Sequence, residues 1–502
     1  MKKAIVIGSG FSGLSAASYV ARDGWEVTVV EKHGTQGGRA RQLIAEGFTF
    51  DMGPSWYWMP DVFERYFRNF GKNVEDYYGL KRLDPSYRVY WHDDHTDVPA
   101  NYQQLRSLFE QMEPGSGEKL DAFLSEAEFK YRTGMQKLVL KPGQSLNEFV
   151  DWDLIKGVLK LDVFTSMKAH LARFFKHPKL RFLLEFPVLF LGALPEHTPA
   201  LYSLMNYADV KLGTWYPEGG MYSVVQGMYK LAQELGVKFL FSHNVENLYI
   251  NNGKVTGLVA GSDTGKVVLD ADVVIGSADY HFIEQQLLPP ELRSYPESYW
   301  EKRVMAPSCL LYYVGVNKKL ENLLHHSLFF DVPFDKHAAE IYTKPCWPEN
   351  PLFYVSATSV TDETAAPDGC ENLFFLIPVA TGLTGDDESL RERYFEMILK
   401  RFEDRIGENV RDSIIFKKTF GPGDFIHEYN AFKGNAYGLA NTLFQTAVLK
   451  PSCRSKKVRN LFYAGQLTVP GPGVPPSLIS GEVVAKEVQK HYGKAVTLEM
   501  QR

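Results

Sequence analysis

The chain has 502 residues, with a formal net charge of −5 and a pI of about 6.3. This length allows two or three domains and a large core. The slightly acidic balance excludes a basic surface spread over the whole molecule, so no nucleic-acid partner is expected. The four cysteines are scattered without a C-x-x-C pair, which argues against a metal site and against a disulfide framework. No run of about 18 apolar residues is present, so no membrane-spanning helix is expected.

The N-terminal segment is the most informative part of the chain. A predicted apolar strand over residues 4–7 runs into a helix through Gly8-Ser9-Gly10-Phe11-Ser12-Gly13, and a second strand ends on Glu31. Gly8 permits the tight turn, Gly10 lets the backbone approach a pyrophosphate, and Gly13 lets helix and strand pack closely. Glu31 follows Gly13 by 18 residues, where an acid accepts hydrogen bonds from ribose hydroxyls. The pattern predicts a dinucleotide site; the alternative is a glycine-rich turn without a ligand.

A second glycine-arginine element follows, with the sequence Gly37-Gly38-Arg39-Ala40-Arg41, and then a predicted strand that ends before Gly53-Pro54. The glycines allow close backbone approach, and both arginines are predicted to place fixed charge beside phosphates. The combination resembles flavoproteins of the amine oxidase and carotenoid desaturase superfamily, which implies FAD as the cofactor. The alternative is a solvated basic turn.

The order of predicted elements indicates that the chain leaves the cofactor domain and returns to it twice. The predicted divisions are a first FAD-binding part (1–94), a helical substrate and membrane region (95–213), a second FAD-binding part (214–290), a substrate-domain sheet (291–455) and a C-terminal FAD-binding part (456–502). In the second part we expect a helix over 224–235, strands over 237–241, 245–250 and 255–260 around an Asn252-Gly253 hairpin turn, and one buried strand over 267–275. In the substrate domain we expect strands over 310–316 and 374–378 and a helix over 390–402.

The C-terminal segment carries the last predicted cofactor element. A strand ends at Gly465, a loop of alternating proline and glycine follows, and a helix begins near Pro475 or Pro476. Its positive end, with free N–H groups around Ser477 and Leu478, would favour the negative charge of a reduced flavin. The alternative is a proline-rich surface turn.

Over nearly its whole length the chain resembles the bacterial-type carotenoid desaturases, the phytoene desaturase family. The resemblance implies an α/β fold: a Rossmann-type FAD-binding domain of the amine oxidase and phytoene desaturase superfamily, with an inserted α+β substrate domain and a helical membrane-facing region. The matching pieces are the N-terminal fingerprint, residues 37–39, 48–54 and 215–220, His325-His326-Ser327-Leu328-Phe329-Phe330, and residues 361–370, 432–438 and 470–475.

Two departures from the family pattern point to one branch. Where members often carry Ala-x-Thr-His-Pro-Gly, this chain has Gln466-Leu467-Thr468-Val469-Pro470-Gly471, so any role of that histidine is absent. The run Trp56-Tyr57-Trp58-Met59 is also bulkier than in many phytoene desaturases. Both features resemble a branch that includes 1-hydroxycarotenoid 3,4-desaturases.

The resemblance implies an FAD-dependent desaturase of acyclic C40 carotenoids, reoxidised by oxygen or a quinone, with 3,4-desaturation of a 1-hydroxycarotenoid as the favoured reaction. Conversion of phytoene to lycopene, flavin amine oxidation and non-enzymatic isoprenoid carriage are the alternatives. No metal ligands are predicted. Glu148 is a candidate for proton transfer, with a solvated carboxylate at a helix start as the alternative. The predicted FAD contacts are Gly8, Gly10, Phe11, Ser12, Gly13, Glu31, Lys32, Gly38, Arg39, Gly53, Pro54, Ser55, Val245, Gly465, Gln466, Gly473 and Val474.

A basic segment predicts contact with a membrane surface, from which a water-insoluble carotenoid would arrive. Between residues 156 and 181 the sequence has one acid, Asp162, and seven basic residues: Lys156, Lys160, Lys168, Arg173, Lys176, Lys179 and Arg181. Aromatic residues interleave with these charges and an apolar run follows, as in an interfacial anchor. The expected location is therefore cytoplasmic and peripherally membrane-associated. A basic helix over an ordinary core is the alternative.

Overall fold

The computed structural model of the chain describes residues 1–145, 148, 162, 164–189, 192 and 194–493. Its first layer is a five-stranded parallel sheet with the strand order Leu461–Tyr463, Val273–Gly276, Lys3–Ile7, Glu26–Val30 and Lys238–Leu240. Strands rich in valine and isoleucine suit such a sheet because helices bury both of its faces. The strand Lys3–Ile7 accordingly buries four of its five residues.

Three helices pack against this sheet and against one another. The helix Phe11–Arg22 lies between Val474–Tyr492 and Met221–Glu234. Small residues let the first two helices approach closely, since a Cβ on Gly481 would lie 2.6 Å from the Ser12 carbonyl oxygen. The helix predicted over 224–235 is present but begins three residues earlier, at Met221, directly after the glycine turn. The Asp51 carboxylate accepts hydrogen bonds from the N–H groups of the first two residues of this helix.

A three-stranded antiparallel sheet is formed by Asn244–Asn251, Lys254–Ser262 and Gly265–Asp270. Its first turn has positive φ at Asn252 and Gly253, which confirms the predicted hairpin. The single strand predicted over 267–275 is wrong, because the chain changes sheets there. The Ala271 N–H bonds to Thr256 in the antiparallel sheet, whereas the Asp272 N–H bonds to Lys3 in the parallel sheet.

The second layer is a seven-stranded sheet with the order Ile414–Phe420, Ser308–Val316, Glu371–Val379, Phe353–Ser356, His326–Phe329, Tyr87–Tyr90 and His95–Val98. The two strands predicted in this region are confirmed, as is the helix, which spans Glu388–Ile406. Residues 88–90 pair with residues 327–329 in this sheet, so the chain enters the second layer before residue 94. Short antiparallel pairs join Gln42–Ala45 to Phe48–Asp51 and Leu80–Arg82 to Trp215–Pro217.

A helical region covers one end of the second layer. Its α-helices are Tyr102–Met112, Ser116–Thr133, Met167–Phe174, Pro178–Leu189 and Leu204–Tyr207, with π-helical turns at Gly134–Leu138 and Ala208–Leu212. The other α-helices among the described residues are Pro60–Arg68, Tyr280–Gln286, Glu297–Glu301, Phe334–Tyr342 and Pro422–Tyr429. Among the helices in the described ranges, none combines the length and the apolar character needed to cross a bilayer.

Candidate active site

A cavity of about 470 Å³ lies between the two layers. On one side it meets the carboxyl ends of the parallel strands at Ile7, Val30 and Ala464. On the other side it meets the face of the seven-stranded sheet at Leu311 and Leu376. Ligands of open parallel sheets bind at this edge because the loops that follow the strands converge there.

The N-terminal glycines differ in their position relative to the cavity, and Gly13, one of the predicted FAD contacts, does not line it. Gly8 has a φ of +100°, and a Cβ there would come 3.2 Å from the Ala278 nitrogen. Gly8 and Gly10 line the cavity. Gly13 lies behind it, because a Cβ on Gly13 would sit 2.1 Å from the Gly8 carbonyl oxygen. Gly13 therefore sets the approach of helix and strand rather than touching the cavity.

Glu31 is held at the cavity wall by three directed hydrogen bonds. Its side chain is buried, and Oε2 accepts from the Ser9 N–H at 2.8 Å and the Ser9 hydroxyl at 2.7 Å. Oε1 accepts from the His33 N–H at 2.9 Å. These donors fix the carboxylate at the end of the second parallel strand, where ribose hydroxyls can donate to it.

Arg39 fits an anionic ligand. A Cβ on Gly38 would lie 3.4 Å from the Gly10 Cα, so the glycine-arginine element packs directly on the first glycine turn. Arg39 lines the cavity, and its Nη2 donates to the Asn435 carbonyl at 3.2 Å. Burial lowers the pKa of the Arg39 guanidinium, and its buried Nε has no hydrogen-bond partner among the described residues. A buried donor of this kind is matched by a phosphate or carbonyl oxygen of a cofactor.

Arg41 departs from its predicted role beside phosphates. Its Nη2 donates to the Glu428 carboxylate at 3.0 Å and to the Tyr429 hydroxyl at 3.2 Å. It does not belong to the cavity lining. Arg41 therefore forms an ion pair with Glu428 rather than facing the cavity, where its charge was predicted to lie beside phosphates.

The other predicted FAD contacts converge on the cavity although they come from distant segments: Phe11, Ser12, Lys32, Gly53, Pro54, Ser55, Val245, Gly465, Gln466, Gly473 and Val474 all line it. Sequence reasoning missed further polar lining residues: Ser9, His33, Asn244, Ser277, Asp279 and Glu428. Ser277 and Asp279 follow the strand Val273–Gly276. Had the sequence predicted this strand separately from Gly265–Asp270, both residues would have been candidates, because ligands bind at the carboxyl ends of parallel strands.

The C-terminal helix points its first turn at the cavity. It begins at Val474, after Gly473 with a φ of +110°, and residues 473–477 all line the cavity. The Ser477 N–H donates to the Gly473 carbonyl at 3.0 Å, so the expectation that this group is free is wrong. Pro475 and Pro476 have no N–H, which leaves Val474 as the donor of the first helical positions. The positive end of the helix dipole still faces the cavity.

The opposite end of the cavity is apolar. Its lining comes from many separate segments: Trp56, Trp58, Phe186, Leu328, Phe330, Phe334, Ile341, Tyr342, Leu352 and Phe353. The Trp56 ring stacks on His326, with centroids 4.1 Å apart and planes 10° from parallel. The Trp58 indole N–H donates to the Thr214 hydroxyl at 2.8 Å, which fixes that ring at the wall.

The polar side chains at this end are tied to the protein. His337 accepts from the Leu352 N–H at 3.0 Å through Nδ1 and lies 2.9 Å from the Pro378 carbonyl through Nε2. Burial lowers the pKa of His337 to about 4, so the ring is neutral near pH 7. The Tyr354 hydroxyl lies 2.6 Å from His326 Nδ1 and 3.0 Å from the Ser55 hydroxyl. This end therefore suits a long apolar ligand that carries no charge.

Glu148 lies elsewhere. Its carboxylate accepts hydrogen bonds from the N–H groups of Gly143, Gln144 and Ser145 at 2.9–3.1 Å, and it is not among the cavity-lining residues. This position gives Glu148 a role in holding a loop and adds no support for proton transfer.

Comparison with known proteins agrees with this site. Residues 11–489 match the family model described as flavin containing amine oxidoreductase. The chain is 43% identical to a carotenoid 3,4-desaturase of Haloarcula japonica, over 96% of this chain and 97% of that protein. It is 31% identical to a zeta-carotene-forming phytoene desaturase of Myxococcus xanthus, over 97% and 94%. An oxidoreductase structure from Methanosarcina mazei shares the fold, with a TM-score of 0.61 and 15% identity over 96% of this chain and all of that one.

The glycine cradle, the acid at the second strand and the buried arginine define a flavin-dependent oxidoreductase, and FAD is its cofactor. The chain belongs to the flavin-containing amine oxidoreductase family and, within it, to the carotenoid desaturases. The predicted resemblance, the cofactor and the α/β fold of this superfamily are confirmed, whereas the membrane-facing role of the helical region stays a prediction.

Proposed function

We propose that the protein desaturates acyclic C40 carotenoids, and that it forms the 3,4 double bond of a 1-hydroxylated carotenoid. The apolar end of the cavity carries this proposal, since it offers a long aromatic wall and, among the described lining residues, no charged group beside that wall. The 43% identity to a carotenoid 3,4-desaturase supports the choice of bond. Phytoene is the second candidate, because the Myxococcus xanthus relative is a phytoene desaturase.

A small amine substrate fits the cavity less well. A cationic amine buried in an apolar site is best stabilised by a carboxylate beside its nitrogen. The carboxylates that line the described cavity are Glu31, Asp279 and Glu428, and all three lie at the cofactor end. Glu31 and Asp279 already accept hydrogen bonds from backbone N–H groups, and Glu428 pairs with Arg41.

The chain's own residues orient the substrate and exclude water. Bound FAD supplies the hydride acceptor. Trp56, Trp58 and Phe330 hold the polyene by apolar contact, which keeps an allylic C–H near the cofactor end and water away from the charge that develops there. The Tyr354 hydroxyl connects this wall to His326, and burial lowers the pKa of His326, so its ring stays neutral and adds no charge beside the polyene. No strong base is needed for the loss of the proton, because a C–H next to a carbocation is strongly acidic.

We also propose that the substrate enters from a membrane surface beside the helix Pro178–Leu189. Within this helix Phe182 packs on Phe330 at 4.8 Å, and Phe186 lines the cavity itself. The helix therefore links the basic segment to the apolar end. Of the basic residues, Lys156 and Lys160 lie outside the described residues, Lys168 pairs with Glu196 at 3.2 Å, and Lys179 pairs with Asp94.

The decisive experiment offers the purified FAD-bound protein four substrates in lipid vesicles: phytoene, lycopene, 1-hydroxylated lycopene and, separately, putrescine. We expect 1-hydroxylated lycopene to gain one conjugated double bond, seen as a shift to longer wavelength and a new chromatographic peak. Conversion of phytoene alone would favour phytoene desaturation, the second candidate function. Unchanged carotenoids together with flavin reduction by putrescine would refute desaturation.

A further inference from the structure

Lys450 is a buried lysine that the reaction described above does not use. Its side chain is 4% exposed, and Nζ donates to Asn441 Oδ1 at 2.7 Å. Among the described residues, no carboxylate lies within 4 Å of Nζ. Burial lowers the pKa of Lys450 to about 7, as expected for an ammonium without a counter-charge. A buried cation of this kind is costly unless an anion comes close to it.

The ammonium lies directly behind the proline-glycine loop. Nζ is 2.8 Å from the position that a Cβ would take on Gly471, and Asn441 Oδ1 is 2.9 Å from it. Gly471 is thus the residue that makes room for the lysine. The next two residues, Pro472 and Gly473, line the cavity at the start of the helix Val474–Tyr492. One layer of backbone therefore separates the ammonium from the cofactor end.

We infer that Lys450 is a positioning residue that stabilises the negative charge of reduced FAD from behind the loop of residues 470–473. This inference rests on the proposed function, because hydride transfer from a substrate C–H leaves one negative charge on the flavin ring system. The oxidised ring system is neutral, so the cation favours reduction and leaves binding of oxidised FAD nearly unchanged. When Lys450 is protonated, its charge adds to the partial charge of the helix end, whose first turn has few N–H donors.

The test uses the FAD-bound Lys450→Met variant, Lys450→Arg as the conservative variant and the exposed Lys457→Met as the matched control. Sulfite forms an S–N5 bond through its lone pair and leaves the ring system negative, so its affinity reports on the same charge. We expect the sulfite Kd of Lys450→Met to rise about tenfold. Its dye-equilibrated midpoint potential should fall by about 30 mV, the equivalent of tenfold for a two-electron couple. Lys450→Arg and Lys457→Met should resemble the unmodified protein.

A second variant covers the outcome in which Lys450→Met does not fold. Asn441→Asp keeps the lysine and places a carboxylate at hydrogen-bond distance from Nζ, so it should lower sulfite affinity and potential in the same direction. Unchanged sulfite affinity and potential in the folded variants, with FAD still bound, would overturn the role of Lys450 and leave desaturation intact. Failure of the unmodified protein to oxidise any carotenoid would instead refute the proposed function.

Discussion

The two ends of the cavity recognise their ligands by different physics. The cofactor end is built from backbone and short polar side chains, with each group held by directed hydrogen bonds, as Ser9 and His33 hold Glu31. The apolar end is built from ring faces that come together from many segments, as Phe186 and Phe330 do. A ligand with fixed charges requires specific atoms at specific points, whereas a polyene requires only a continuous apolar surface of the right shape.

The comparison predicts that a change of one backbone contact at the cofactor end has the largest effect. Gly13→Ala places a Cβ 2.1 Å from the Gly8 carbonyl, so helix and strand must separate and the glycine turn must move. We expect a loss of about 1–3 kcal/mol in stability and isolation of the protein without FAD, measured as the ratio of flavin to protein absorbance. Gly34→Ala is the control, since its Cβ would meet nothing nearer than 3.6 Å. A yellow Gly13→Ala protein would contradict the assigned role.

Charge reversal beside the apolar end should abolish membrane binding without touching FAD. In Lys168→Glu/Arg173→Glu/Lys176→Glu, three attractions of about 1 kcal/mol each to anionic lipid are lost, which is about a hundredfold in partitioning. Flotation with anionic vesicles at low and high salt measures this. The control replaces Lys238, Lys254 and Lys266 by glutamate. These residues lie in the five-stranded and three-stranded sheets, away from the helical region. Equal flotation of both triple variants would place the membrane contact elsewhere.

Removal of the acid at the second strand should weaken FAD binding, without affecting the apolar end of the cavity. Glu31→Ala removes charged hydrogen bonds to a ribose that are worth about 1.5–3 kcal/mol, or roughly tenfold to a hundredfold in the FAD Kd. Titration of FAD into the apoprotein measures this value. Glu26→Ala, at the half-buried start of the preceding strand and far from its carboxyl end, should bind FAD normally. If Glu31→Ala binds FAD as tightly as Glu26→Ala, then Glu31 has no part in the FAD site.

The smallest effect is expected from a single change at the apolar end, because its energy is spread over many contacts. Phe330→Ala removes apolar contact worth about 1–2 kcal/mol, so KM for the carotenoid should rise about fivefold to thirtyfold. The FAD Kd should stay unchanged. The half-exposed Tyr249→Ala, on the three-stranded sheet, serves as the control. A change in FAD affinity rather than KM would show that the two ends are not separate.

Much of the cofactor end could be predicted because its signals are local. Glycine spacing, the acid that ends a strand and the proline-glycine loop each lie within a few residues, and each imposes one backbone geometry. The exceptions have causes that are not local. Arg41 has the right residue type in the right motif, but Glu428, far along the chain, captures its charge. Likewise, the pairing of Val273–Gly276 with distant parallel strands places Ser277 and Asp279 at the carboxyl edge of the sheet, and the sequence did not predict that pairing.

The sequence by itself determined the fold class, the family and the FAD site, since these depend on short motifs whose backbone requirements few other residues meet. Tertiary structure alone decided which aromatic residues form the apolar wall, where Glu148 lies and that Lys450 stands behind Gly471. Hydrophobic residues are interchangeable in the sequence, and most of them are core. Their role follows only from which distant segments the chain brings face to face.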